Sequence, residues 1–270
     1  MNAAQLQPAI ADWVIERHVG ASEHADVFFA RRHGVAAALK LARGANPPTS
    51  LRAAREASAL RRIDHPCVAP LLDAGCSSDG APYVATRWID GIVLENRLAA
   101  GRMTWLELAP VLEALAIGLA ALHGAGIVHR DLKPSNVILP ASGDPAAVIL
   151  DLGHAALHGD ARITHTGTTV GSLLYMAPEQ VRGGVVDARA DLYALGITLY
   201  RALCGELPFA SERVLRGQLE LVPPRRRVPE LPLAVDDLCR WLLAPKPSER
   251  LPSATVLVAT LQSMTMTRVR

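Results

Sequence analysis

The stretch His129-Arg130-Asp131-Leu132-Lys133-Pro134-Ser135-Asn136 constrains this chain more than any other. It follows a long apolar segment with helical spacing and precedes the apolar run Val137-Ile138-Leu139. A polar cluster held between two buried elements is where a scaffold usually carries chemistry. Within eight residues it sets a carboxylate, an ammonium and an amide. That set suits phosphoryl transfer. Asp131 can orient a hydroxyl and accept its proton, Lys133 can neutralise charge on a moving phosphoryl group, and Asn136 can ligate a hard cation through oxygen.

Composition narrows the alternatives. With 270 residues, half of them hydrophobic, the chain has ample material for a core and for two lobes around a cleft. A formal net charge of +2 gives no electrostatic case for nucleic acid or an acidic membrane. The cysteines Cys67, Cys76, Cys204 and Cys239 are scattered without metal-type pairing, which fits a reducing, cytoplasmic setting. The first residues lack a basic segment followed by an apolar one, so no signal peptide is read, and the apolar run Ala114–Leu122 is short of a membrane span. Of 28 basic residues only Lys40, Lys133 and Lys246 are lysines. A compact ammonium is not replaceable by a planar guanidinium at a phosphate site of fixed size, so a lysine standing at such a site in this chain reads as retained for chemistry.

The stretch at 129–136 resembles the H-R-D-L-K-P-x-N loop of eukaryotic-type protein kinases, in its Ser/Thr form and with wording similar to bacterial members. The resemblance covers about residues 13 to 262. It implies an α+β fold of two lobes: a small antiparallel sheet with one helix over about 13–88, a hinge at about 86–90, and a larger helical lobe over about 91–264. It also implies ATP and Mg²⁺, with Mn²⁺ as a substitute, and protein substrates bearing serine or threonine. It says nothing of oligomeric state.

Read in order, Trp13–Val19, Val27–Arg32 and Val35–Leu41 form three strands. The first turn matches the family's glycine loop only at Gly20 and Val27, with Ser22 and Ala25 at the other glycine positions. Lys40 ends Ala36-Ala37-Ala38-Leu39-Lys40, and the resemblance pairs it with Glu56 on a helix over Leu51–Ile63. Leu51, Leu60 and Ile63 share one face of that helix and are expected to pack on the sheet. Val68–Ala74 and Pro82–Trp88 are two further strands. By resemblance, ATP contacts fall to Gly20, Val27, Ala38, Lys40, Glu56, Thr86, Arg87, Ile89 and Ile138, with backbone groups of Arg87 and Ile89 taking the adenine.

Thr104-Trp105-Leu106-Glu107 is a capping box that starts a long helix, although Pro110 calls for a kink or a later start. Asp151-Leu152-Gly153 resembles D-F-G, so Asp151 and Asn136 are the implied Mg²⁺ ligands. Residues 154–176 resemble an activation segment, with Thr164 and Thr166 as leading phosphorylation candidates and Arg52 as a cation to hold the phosphate beside Arg130. Ser172 would bridge Asp131 and Lys133. Glu179 of Ala177-Pro178-Glu179 would pair Arg250, and Asp191 would hold the catalytic-loop backbone. Further helices are expected near 211–219, 233–243 and 253–264.

Overall fold

His33 and Gly34 both adopt positive φ, 51° and 81°. That is the backbone a two-residue hairpin turn requires, and it matches the twist of the strands it joins. The turn connects β2 (Ala25–Arg32) to β3 (Val35–Ala42), and β1 (Val14–Ala21) pairs with β2 on the other side. A computed structural model describes residues 10–21, 24–157, 173–209 and 220–266. These residues fall into two compact units, the first made of the chain up to Asp64 with Ala69–Ile89 and Asp151–His154, the second of the remainder.

In the first unit, α1 (Pro47–Leu60) follows β3, and β4 (Leu71–Cys76) and β5 (Pro82–Arg87) complete an antiparallel sheet of order β1-β2-β3-β5-β4. One sheet face buries Phe28, Ala30, Leu39, Leu41, Tyr83 and Ala85 under Ile10 and Trp13. At a bulge in β4, Asp73 accepts hydrogen bonds from Trp13 Nε1 at 3.2 Å and Tyr83 Oη at 3.0 Å and pairs with Arg32, tying the chain's approach to β1 onto the sheet. Helix α1 begins at Pro47 rather than Leu51, because the Asn46 side chain accepts from the Thr49 amide and proline suits a first helical turn. Its buried face differs from the expected one. Leu60 is buried as expected, but Leu51 is 52% exposed and Ile63 lies beyond the helix, and Glu56, Ala57 and Ala59 complete the buried face. Strand β4 starts at Leu71, since Val68 instead bridges Ile149 in the second unit.

The second unit holds β6 (Gly91–Val93), α2 (Leu94–Ala99), α3 (Trp105–Gly124), β7 (Ile127–Val128), β8 (Val137–Pro140), β9 (Val148–Ile149) and β10 (Ala156–Leu157). Helices α4 (Pro178–Val181), α5 (Arg189–Cys204), α6 (Leu233–Leu242) and α7 (Ala254–Met266) follow. Strands β6, β8 and β9 form one small antiparallel sheet, and β7 pairs with β10. The Thr104 capping box is formed, and α3 runs through Pro110 without starting later. The bond that proline removes is the one to the Leu106 carbonyl, in the first turn of the helix. At 20 residues, α3 is long and apolar enough by length and composition to cross a membrane. Here it is a core helix: Leu108, Leu112, Leu115, Leu119 and Leu122 are buried, and it packs on α5 and α7. Helix α5 is buried along its length and ends at Gly205, whose φ of 78° is the left-handed cap that glycine adopts readily. The helix expected near 211–219 lies outside the described residues.

Candidate active site

The first unit brings Lys40, Glu56 and Asp151 together. Lys40 projects from β3 across the file that pairs it with Val27 and Val84, and its Nζ lies 3.0 Å from Glu56 Oε2 and 2.6 Å from Asp151 Oδ1. Burial pulls the Lys40 ammonium down, but Asp151 and Glu56 outweigh it and hold its pKa above the ordinary value. Burial also opposes ionisation of Asp151, and here the Lys40 charge and the Gly153 amide, 2.8 Å from Oδ1, keep the carboxyl well below the usual carboxylate range. Burial pushes Glu56 up to about 7, with the charge of Asp151 adding to the rise and Lys40 opposing it.

Asp151 has φ 48°, a conformation few non-glycine residues take, and the Lys40 pair and Gly153 amide hold it there. Gly153 is glycine for want of space. A Cβ there would meet Arg52 Nε and Asp151 Oδ1 at 2.9 Å and Glu56 Oε2 at 3.3 Å. Arg52 therefore lies against this cluster, and its Nε is buried without a hydrogen-bond partner. Gly20 pairs with Val27, and Ala38 pairs with Thr86 beside Arg87. Ala25 lies at the start of β2, whereas Ser22 is outside the described residues.

In the second unit, Asp131, Lys133 and Asn136 meet on the loop between β7 and β8. Lys133 Nζ donates to Asp131 Oδ2 at 2.8 Å, and Asn136 Nδ2 donates to the Asp131 carbonyl at 2.8 Å and to Oδ2 at 3.3 Å. The loop is pinned from below. Asp191, 1% exposed, accepts the His129 amide at 2.9 Å on Oδ2 and the Arg130 amide at 2.8 Å on Oδ1. Burial opposes its ionisation, but His123 and His129 beside it hold the carboxyl below its ordinary pKa. Arg130 has φ 66°, and its carbonyl accepts Gln180 Nε2 at 2.9 Å. Both sides of its peptide are thus fixed, which is what a strained backbone at a working site requires. Glu179 and Arg250 form a two-pronged pair at 2.6 and 2.7 Å, with the guanidinium 4.8 Å from the Tyr193 ring centroid. Ile138 is buried on β8. Thr164, Thr166 and Ser172 are outside the described residues.

Two residues of this site had no sequence signal of their own. His123 Nε2 lies 2.8 Å from Asp191 Oδ2. In the sequence it is a lone histidine in the last turn of a helix, with no neighbour that marks its partner. Gln180 takes the Ala177 amide on Oε1 at 3.0 Å while donating to Arg130. Its place directly after Ala177-Pro178-Glu179 was the available clue.

An antiparallel five-stranded sheet with one helix that carries a lysine–glutamate–aspartate cluster, followed by a helical unit bearing a pinned Asp-Lys-Asn loop, defines a protein of kinase fold. The chain belongs to the protein kinase domain family, whose model matches residues 13–261. It is 36% identical over 258 residues to the serine/threonine-protein kinase PknJ of Mycobacterium tuberculosis, covering 90% of this chain and 44% of that protein. It is 41% identical over 220 residues to the DNA damage-responsive serine/threonine-protein kinase RqkA of Deinococcus radiodurans, covering 78% and 32%. With PrkC of Bacillus subtilis the identity is 31% over 215 residues, covering 77% and 33%. The chain thus spans less than half the length of these curated relatives.

Proposed function

We propose that this chain transfers the γ-phosphoryl group of ATP to serine and threonine hydroxyls of proteins, its own residues Thr164 and Thr166 included. The observation that carries this reading is the Asp131–Lys133 pair at 2.8 Å on a loop fixed by Asp191. Lys133 occupies Oδ2 of Asp131, so Oδ1 is the oxygen that takes the substrate hydroxyl. Asp131 accepts the hydroxyl proton as the new O–P bond forms, ADP departs, and the Lys133 ammonium offsets charge on the phosphoryl oxygens. Lys40, oriented by Glu56, holds the nucleotide phosphates, and the backbone of Arg87 and Ile89 takes the adenine.

The residues present fit Mg²⁺. Asp151 is held ionised, and the Asn136 amide nitrogen is engaged by Asp131, which leaves its oxygen as a donor. Among the described residues no group of three or more His, Cys, Asp or Glu side chains gathers to hold a metal. A few oxygen donors supplemented by phosphate oxygens and water is the usual way Mg²⁺ is held. When bound, the ion neutralises charge on the phosphates.

The test is incubation of the purified chain with labelled ATP, Mg²⁺ and a generic protein substrate, followed by mass spectrometry of modified residues. Phosphoserine and phosphothreonine are expected from the wild type, and none from Asp131→Asn at an unchanged melting temperature. Equal incorporation by the two would sink the assignment.

A further inference from the structure

The pairing of β1 is irregular. Ile15 lies opposite Ala30, but Arg17 lies opposite Phe29, so Glu16 is one residue extra. In an unbroken register Arg17 would share the face of Ile15, which packs on the apolar cluster of Phe28, Ala30 and Leu39. The bulge delivers the arginine to the opposite face instead, the re-aiming that such bulges provide near functional sites.

On that face the guanidinium lies 5.0 Å from the Phe29 ring centroid and 5.1 Å from that of Trp88. The two rings meet edge to face, 4.8 Å apart at 82°. A second guanidinium, of Arg31, lies 5.2 Å from Phe29. Phe29 is paired with Ala38, and Ala38 with Thr86. Directly paired residues share a face, so Arg17, Phe29, Ala38 and Thr86 form one file across four strands. Trp88 is anchored to the same sheet by its amide, 3.0 Å from the Ala36 carbonyl. It stands between Arg87 and Ile89, whose backbone groups are proposed above to take the adenine.

We infer that Arg17 and Phe29 are positioning residues for the nucleotide: they clamp the Trp88 ring and thereby fix the backbone of Arg87 and Ile89. The inference rests on the ATP-binding reading above. Neither side chain has to touch the nucleotide. Their effect is preorganisation, which lowers the cost of ordering the binding backbone and shows in nucleotide affinity rather than in the chemical step. The cation contributes through its position over two aromatic faces, so lysine should replace it in part and alanine should not.

The experiment measures affinity for a fluorescent ATP analogue, with KM for ATP, KM for the protein substrate and kcat, in wild type, Arg17→Ala, Arg17→Lys and Phe29→Leu. Arg17→Ala should weaken nucleotide binding and raise the ATP KM about three- to ten-fold, as expected for losing cation–aromatic contacts. Its kcat and protein-substrate KM should stay unchanged, with Arg17→Lys intermediate. A purely structural role would lower the melting temperature and kcat together and leave the nucleotide KM unmoved. Arg17 is exposed, so its truncation decides the matter even if Phe29→Leu fails to fold. Wild-type nucleotide affinity in Arg17→Ala would overturn the inference and leave the kinase reading standing. Absence of ATP binding by the wild type would overturn both.

Discussion

His123 Nε2 and the His129 amide converge on the same oxygen of Asp191, at 2.8 and 2.9 Å, while the Arg130 amide takes the other at 2.8 Å. One buried carboxylate thus holds the final turn of α3 and the amides of the two residues that precede Asp131. In Asp191→Asn an amide NH₂ would face a backbone N–H, and leaving a buried donor unmatched costs about 1–3 kcal/mol. The same change releases the strained Arg130 peptide. Stability should fall by that amount and kcat by at least about ten-fold, the equivalent of roughly 1.4 kcal/mol at the transition state. Denaturant unfolding and steady-state rates check this, and a variant with full kcat would show that Asp131 needs no such support.

The Glu179–Arg250 pair makes a different claim, on stability alone. Arg250 is 5% exposed, and it also donates to the carbonyls of Ala244 at 2.8 Å and Arg189 at 3.0 Å. Arg250→Met removes one partner of a buried pair, which costs about 3–5 kcal/mol because the other charge is left uncompensated. Arg250→Lys should recover only part of this, since an ammonium cannot reproduce a two-pronged contact. Urea midpoints of the three proteins decide the order.

What was legible in the sequence was whatever local chemistry dictates. The strand pair β2–β3 and the capping box of α3 each follow from residues within a few positions of one another. The polar loop at 129–136 and its lysine could likewise be read directly. The misreadings arose where a distant partner overrides local pattern. Helical periodicity put Leu51 on the buried face of α1, but the helix turns Glu56 inward to reach Lys40, so Leu51 is left exposed. The same rotation sets Arg52 beside Glu56 against Gly153, the face that its spacing of four residues before Glu56 implies. The bulge at Glu16 and the role of His123 depend on pairing with residues 15 or 68 positions away in the chain, for which a single sequence carries no pattern.

Gly153 tests how tightly the first cluster is fitted. In Gly153→Ala the new methyl would lie 2.9 Å from both Arg52 Nε and Asp151 Oδ1, so one of them must move. Asp151 is held by Lys40 and by the Gly153 amide itself, and displacing it should reduce kcat/KM for ATP about ten-fold, the penalty of a misplaced positioning group. Arg52→Ala in the same chain opens space on one side and should restore part of the loss. No gain from that second change would place the clash on Asp151 alone.

Glu56 is the group whose charge should change within the working pH range. Burial pushes its carboxyl up to about 7, and the nearby Asp151 adds to this, while Lys40 stays protonated throughout. Below that value Glu56 is neutral and Lys40 is paired to Asp151 alone. Above it Glu56 ionises and shares the ammonium, the arrangement proposed to hold the nucleotide phosphates. Therefore kcat/KM for ATP should rise between about pH 6 and 8, and Glu56→Gln should flatten that rise and lower its plateau. The sign for stability is the reverse. The folded-state pKa lies above the ordinary glutamate value of 4.5, so the folded chain holds this proton more tightly. Its stabilising contribution is complete below 4.5 and is lost as pH rises through about 7. The melting temperature of wild type relative to Glu56→Gln should accordingly decline across that window while activity climbs. Parallel pH profiles for the two proteins, in either measurement, would assign the titration to another group.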